Sequence, residues 1–548
     1  MKKSFIALLV VAMLILATFT GCSNGSKTDA PGETDAPGET DTNDETVKNE
    51  LVVPSEPQEG EVLTIGLSSS PKNLDPVKYT GTYESQIIQN VGDTLVAYKM
   101  DLSEIVPNLA TSWTVSEDGM HYTFKLRDDV YFHPGEYQDG RQMTAEDIKY
   151  SLERSLELSA MNRLDMIESV EVINDFEVVV HLPNPNSAFL TALTNSGNII
   201  VPKEEVEGWG DDFGNHLVGT GPFSMKEFKY DNETILVKNE KYWAQTPHLD
   251  GVTFKVVTDA SQMANALRTG EIDFAEKLTG EAVKIVREEA NLKLMETPGL
   301  HVAYIYFNQV NGPTADIKVR EALLKAVDRE QLVQGIYQYG EAQPASLPLP
   351  PGSWGYDESL ESTVPEYDPE GAKQLLAEAG YPDGFKTTIH ISDTPHRVKM
   401  ATILQQFLKM NLNVDLEIQT SEWGTFSEIG SSGNADIFAM SWTWYPDPYF
   451  FLDKIFATSA IGSLGNGQGF SNLEVDKLLA EALIASEQDE RAELYKDALK
   501  IIVEQYPGIF YSNENVTWGV APEVQGLIQR ADGSIFLTNE EINVWKVQ

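Results

Sequence analysis

Cysteine is nearly absent from this sequence. Cys22 is the only one in 548 residues, so no disulfide can form within the chain, whatever the redox compartment. Basic residues are scarce: 40 Lys and Arg stand against 84 Asp and Glu, for a formal net charge of −44. Nucleic-acid affinity comes largely from cations that neutralise phosphates, so this balance excludes a nucleic-acid partner. Long apolar runs are also missing. The longest, Phe5 to Phe19, contains one polar residue, Thr18, and falls short of the ~20 residues a membrane-spanning helix needs. Enzyme motifs give no lead: there is no GxxxxGK[ST] loop and no HExxH, and the GxSxG match at Gly21–Gly25 follows the apolar run rather than a strand, so it is no nucleophile elbow. With Cys22 at the end of the apolar run, no other thiol remains to act as a nucleophile. The eight histidines are scattered; the nearest pair, His390 and His396, lacks metal-ligand spacing. No metal, cofactor or catalytic residue is therefore expected.

What is present is a globular composition, 41% hydrophobic and 23% charged, with material for more than one core. Lys2 and Lys3 precede the apolar run, as in a secretory signal. The run ends at Phe19-Thr20-Gly21-Cys22, which resembles the lipobox of bacterial lipoproteins, with Phe19 where Leu is usual. That resemblance implies a signal peptide over 1–21 and acylation of Cys22. More than one acyl chain gives stable anchoring. The following stretch has no aromatics and repeats "TDAPGE" at 28–33 and 34–39. Such composition buries too little apolar surface to order itself, and its charges extend it. Residues 22–60 are read as a lipid-anchored acidic tether on the outer face of the cell membrane.

From Glu61 onward strands alternate with helices. "VLTIGL" at 62–67 reads as a buried strand, and "MHYTFKLR" at 120–127 and "FEVVVHL" at 176–182 read as further strands. Thr144 with Asp147 at the third helical position predicts a capping box. Asp368-Pro369 predicts a helix start, and Gly380 its end. "VKMATILQQFLKM" at 398–410 is amphipathic and leads into the strand "VDLEIQT". This alternation predicts an α/β fold with mixed sheets. "GTGPF" at 219–223 and "GNGQG" at 465–469 are read as turns in which glycine supplies positive φ.

The block "LATSWTVSEDGMHYTFKLRDDVYFHPGEYQDGRQMTAEDIKYSLER" at 109–154 closely resembles the signature region of family 5 extracellular solute-binding proteins, the receptors of peptide-type ABC importers. "GTGPF", "KYW" at 241–243, "ALRTGEIDFA" at 266–275, "VREALLKAVDREQLV" at 319–333 and "YDPEGAKQLLAEAGYPDGF" at 367–385 follow in the family's order. The resemblance extends from Glu61 to Gln548. It implies a two-lobed periplasmic-binding-protein-like clamp with an extra domain in the first lobe. Lobe I would gather 61–98, 203–305 and 512–548; the extra domain would be 99–202, and lobe II 306–511. The chain would cross between lobes near 305 and 512. A ligand binding the closed state better would shift the open–closed equilibrium. The chain would then act as a monomeric receptor without chemistry of its own, delivering ligand to membrane permease and ATPase subunits. Within the signature block, Trp113, Tyr122, Phe124 and Phe132 are read as core residues rather than ligand contacts.

Two segments match ligand-contacting parts of peptide binders. In "YTGTYES" at 79–85, Thr80, Gly81, Thr82 and Tyr83 match a cleft loop. A plain helix cap is the other reading of these four residues. In "WTWYPDP" at 442–448, Trp442 and Thr443 match, but Trp444 replaces the aspartate that holds a peptide's ammonium. Asp447 matches a later aspartate of that turn, which is more often structural. The arginine that fixes a dipeptide carboxylate is also missing from "IHISDTPH", and Arg397 is read as facing solvent. Oligopeptide is the reading that the family implies. Oligosaccharide is the alternative, because Trp442, Trp444, Tyr445, Trp423 and Trp354 offer rings on which sugars stack.

Overall fold

The computed structural model describes residue 54, residues 56–443 and residues 445–548. Cys22, the apolar run, the repeat and Trp444 therefore lie outside the described residues. The strand order follows from one long strand, Gly508–Val520. Its first part pairs antiparallel with His301–Phe307, and its last part pairs antiparallel with Lys293–Pro298. On one side the sheet continues through Ile437–Thr443 and Lys386–Ser392 to Asp415–Ser421. On the other it continues through Phe274–Ala275, Val62–Leu67, Gly251–Val256 and Glu233–Lys238 to Phe223–Lys229. Val62–Leu67 runs parallel to Gly251–Val256, and Lys386–Ser392 runs parallel to Asp415–Ser421, so the sheet is mixed. A separate antiparallel sheet of four strands is built from Ala110–Val115, His121–Leu126, Glu177–His181 and Ser169–Asn174.

Local signals act where the sequence places them. Thr144 caps the helix Ala145–Leu158 in a full capping box with Asp147. The Asp368 side chain accepts from Gly371 N ahead of the helix Pro369–Glu378, and Gly380 follows at φ 93°. The helix Pro395–Leu412 buries Met400, Leu404, Phe407, Leu408 and Leu412, one apolar face at helical spacing. Phe124 is fully buried, Tyr122 and Phe132 nearly so, and Trp113 packs against them.

Buried apolar side chains gather in three main cores. One spans Val302 to Tyr511. A second joins residues between Leu63 and Val286 to Trp518–Val544. The third lies within Leu95–Val218 and includes the four-stranded sheet. The chain passes between the first two cores at Gly299–Leu300. Leu294 and Met295 pack on one side of that point, and Val302 and Tyr304 on the other. Gly299 N donates to Glu514 O at 3.0 Å, and a Cβ there would stand 2.6 Å from that oxygen.

The glycine clusters differ from expectation. In "GTGPF" neither Gly219 nor Gly221 has positive φ. Each is needed because backbone passes against it: a Cβ on Gly219 would lie 2.4 Å from Val91 O, and one on Gly221 2.7 Å from Val91 C. In "GNGQG" only Gly469 has positive φ; a Cβ on Gly467 would stand 1.8 Å from Gly430 O.

Candidate functional site

A cavity of about 500 Å³ opens where parts of all three cores meet. One wall is the loop from Tyr79 into the helix Thr82–Val91. A second comprises Met161–Met166 with Ala192 and Asn195, and a third comprises Trp442, Thr443, Tyr445, Tyr449, Phe450 and Lys454. Ser463, Leu464, Gly465, Asp532 and Ser534 complete the lining. Its size suits a small ligand, as does its mix of rings with a few polar groups.

The first wall is firmly held. Gly81 stands at the helix N-cap with extended backbone, and no side chain caps the first-turn N–H groups. They remain available as donors. The Tyr79 hydroxyl lies 3.1 Å from Asn195 Oδ1 and 2.5 Å from Ser196 Oγ, joining loop and second wall. Arg163 stacks 4.1 Å from the centre of the Tyr79 ring and donates to Tyr79 O at 2.8 Å.

The third wall hangs from the end of the strand Ile437–Thr443. Trp442 Nε1 donates to Phe450 O at 3.0 Å, which folds the segment back on itself. The ring of Tyr445 lies 4.5 Å from that of Phe450. Burial raises the Tyr445 phenol well above its ordinary range, with the nearby Tyr79 adding to the effect. Phenol and not phenolate therefore faces the first wall.

The family described as bacterial extracellular solute-binding proteins, family 5, matches residues 104–463, about two thirds of the chain. The chain belongs to that family. The receptor is similar to heme-binding protein A of Haemophilus influenzae, with 32% identity covering 83% of this chain and 87% of the relative. It is similar to the dipeptide-binding protein of Escherichia coli at 28% identity, over 86% of this chain and 92% of the relative. In structure it resembles HbpA2 from Haemophilus parasuis, with a TM-score of 0.82 and 27% identity over 89% of this chain and 100% of that one. These relationships make the protein a substrate-binding receptor of an ABC importer, not an enzyme.

The residues singled out in the sequence separate into groups. Thr80, Gly81, Thr82, Trp442 and Thr443 line the cavity of the receptor. Tyr83, on the helix beside them, does not. Trp423 begins the helix Trp423–Ser431, is 53% exposed and packs its ring 5.6 Å from Phe426, away from the cavity. Asp447 is fully buried beneath the cavity wall. Arg491 Nη2 stands 2.9 Å from both of its oxygens, and Thr191 Oγ1 donates to it at 3.1 Å. It fixes the turn rather than presenting a charge to solvent. Trp354 lies under Arg491, 5.0 Å from its guanidinium, and does not line the cavity either.

Arg397 does not face solvent. It donates to Ala439 O at 2.7 Å and to Ser441 Oγ at 3.2 Å, so it braces the strand that carries Trp442. The helix Pro395–Leu412 begins just before Arg397, which therefore stands in the first helical turn. Arg163, Asp165 and Lys454 also line the cavity, and no motif in the sequence marked them.

A larger hollow, about 1110 Å³, lies between the helix Pro395–Leu412 and the strands Lys386–Ser392 and Asp415–Ser421. It is walled by one core alone and lined by none of the predicted residues. Among the described residues no group of three His, Cys, Asp or Glu is arranged to hold a metal ion. His121 and His181, cross-strand partners in the small sheet, meet Nδ1 to Nδ1 at 2.9 Å in a simple hydrogen bond.

Proposed function

We propose that this receptor captures short peptides in the cavity between Tyr79–Ser85 and Trp442–Phe450, and hands them to a membrane permease. The observation that carries this reading is the cavity wall itself. Uncapped N–H groups and the hydroxyls of Thr80, Thr82 and Thr443 suit a peptide backbone, while Trp442, Tyr449 and Phe450 suit its side chains. The similarity to a dipeptide-binding protein adds support. The lobes we propose are 61–98 with 203–305 and 512–548, and 306–511, with 99–202 as the extra domain. The separate cores support that division. Closure of the two lobes would bury the ligand.

The aromatic third wall also favours a second reading, an oligosaccharide stacked on Trp442 and Tyr449. Thermal unfolding of the purified protein separates the two. Pools of tri- and tetrapeptides are compared with cello-, xylo- and manno-oligosaccharides. A ligand at 100 times its dissociation constant adds about 2.7 kcal/mol of apparent stability. The peptide pool is expected to raise the melting temperature and the sugars to leave it unchanged; the reverse pattern would replace this reading by the second.

We also propose that Cys22 is acylated and that the acidic segment after it tethers the receptor to the outer face of the membrane. The lipobox-like "FTGC" and the aromatic-free repeat support this. Cys22→Ser is expected to move the protein from the membrane fraction to the soluble extracytoplasmic fraction. Unchanged retention in membranes would remove the anchor.

A further inference from the structure

Acid dominates this chain, yet the charges left unpaired on the cavity wall lean the other way. Four charged side chains line it: Arg163, Asp165, Lys454 and Asp532. Asp532 is neutralised by Arg530, whose Nη2 lies 2.8 Å away. Arg163, Asp165 and Lys454 form no ion pair with any described residue. Two cations and one carboxylate therefore remain, in a protein with 84 acidic and 40 basic residues.

Arg163 is the unusual member. Its residue is only 9% exposed, and a guanidinium so buried is ordinarily matched by a carboxylate. Here its donors meet neutral acceptors: Tyr79 O at 2.8 Å, Ser159 Oγ at 3.2 Å and the Met161 sulfur at 3.5 Å. The Tyr79 ring covers one face of the guanidinium. These contacts hold the group in place without supplying a counter-charge. Lys454 projects from the helix Tyr449–Phe456 on the third wall, with its ammonium 5.2 Å from the centre of the Tyr449 ring. The neighbouring Asp453 is not its counter-ion within ion-pair distance. That carboxyl is buried, and burial beside Asp447 holds it toward the neutral form. Glu84, under the Tyr79 loop, is not among the lining residues, and its Oε1 accepts from Lys72 N.

We infer that Arg163 and Lys454 are the handles for ligand carboxylate, and that Asp165 receives the ammonium. The receptor would then select short peptides with a free carboxyl group. This rests on the peptide reading of the cavity and names the chemistry that reading leaves open. It also gives closure a driving force. Arg163 belongs to a wall built on the third core, Lys454 to a wall built on the first. Arg163 and Lys454 repel each other as the walls approach, and Asp165, on the wall of Arg163, offsets only part of that repulsion. A carboxylate between them reverses the sign, and this is the differential affinity for the closed state that any closing ligand requires.

The test compares tri- and tetrapeptide pools as free acids and as C-terminal amides, by calorimetric titration of the full-length protein at about 0.15 M salt. The wild type is expected to bind the free acids at least tenfold more tightly than the amides. Lys454→Gln is expected to lose about tenfold on the acids, keep its affinity for the amides, and so lose most of the discrimination. Arg163→Lys keeps the charge at a buried position where Arg163→Gln risks misfolding; it is expected to retain the preference for acids with weaker binding. Equal binding of acids and amides by the wild type would overturn the charge handles and leave the peptide reading standing. Undiminished discrimination in Lys454→Gln would remove Lys454 from the site. Failure of both pools to bind would overturn the peptide reading, and this inference with it.

Discussion

Replacing Arg491 with methionine is expected to lower the unfolding free energy by about 3–5 kcal/mol. The substitution strands the Asp447 carboxylate, which is fully buried and has both oxygens 2.9 Å from Arg491 Nη2. Breaking a buried pair by removing one partner leaves an uncompensated charge, and that is the dominant cost. The damage reaches the site. Asp447 also accepts from Tyr449 N at 3.0 Å and from Thr191 Oγ1 on the third core, so it locks the turn that shapes one cavity wall. Nearby, Ser187 N donates to Leu483 O and Ser187 Oγ to Ala482 O, so the two cores meet around this pair. Guanidinium unfolding checks the prediction. The double variant Asp447→Asn with Arg491→Met should recover part of the loss, because it removes the stranded charge. A loss below about 1 kcal/mol in Arg491→Met would show that water or a neighbouring group satisfies Asp447 instead.

Gly219→Ala is expected to cost about 1–3 kcal/mol through overpacking. The new methyl would meet Val91 O at 2.4 Å, and that atom is backbone, not the movable tip of a side chain. The same stretch is pinned from both sides: His133 N donates to Gly219 O and Gly221 N to Val91 O, each at 2.9 Å. The contact closes the C-terminal end of the helix Thr82–Val91, whose N-terminal end forms the cavity loop. Peptide binding should therefore weaken along with the melting temperature. An unchanged melting temperature would mean that the helix end yields freely.

These two positions show what the sequence could carry and what it could not. Thr144 with Asp147 and Asp368 with Pro369 act within one turn of chain, so their caps are readable from neighbours alone. Strands such as Val62–Leu67 and His121–Leu126 are readable from a short apolar run or from alternation, their pairing directions are not, and the long signature block carried the family. Asp447 and Arg491 are 44 residues apart, and nothing local announces that they pair. Gly219 and Gly221 look like turn residues because glycine clusters usually are. Their cause is the approach of Val91, a tertiary fact. Thr80–Thr82 and Trp442–Thr443 were legible through resemblance, and they line one cavity. Trp423 shares the aromatic character of Trp442 but sits at a helix start facing solvent. Composition alone could not separate those two tryptophans. Arg163 and Lys454 lie on walls built on different cores, and the shared role proposed for them depends on those walls facing one another.

Hydrogen–deuterium exchange with and without the free-acid tri- and tetrapeptide pool tests the central claim, that a peptide is held between these walls. Added peptide should slow exchange in 79–85, 161–166 and 442–454 together, because all three lie on the cavity. Peptide that binds yet leaves those segments unchanged, or protects only the hollow beside Pro395–Leu412, would contradict it.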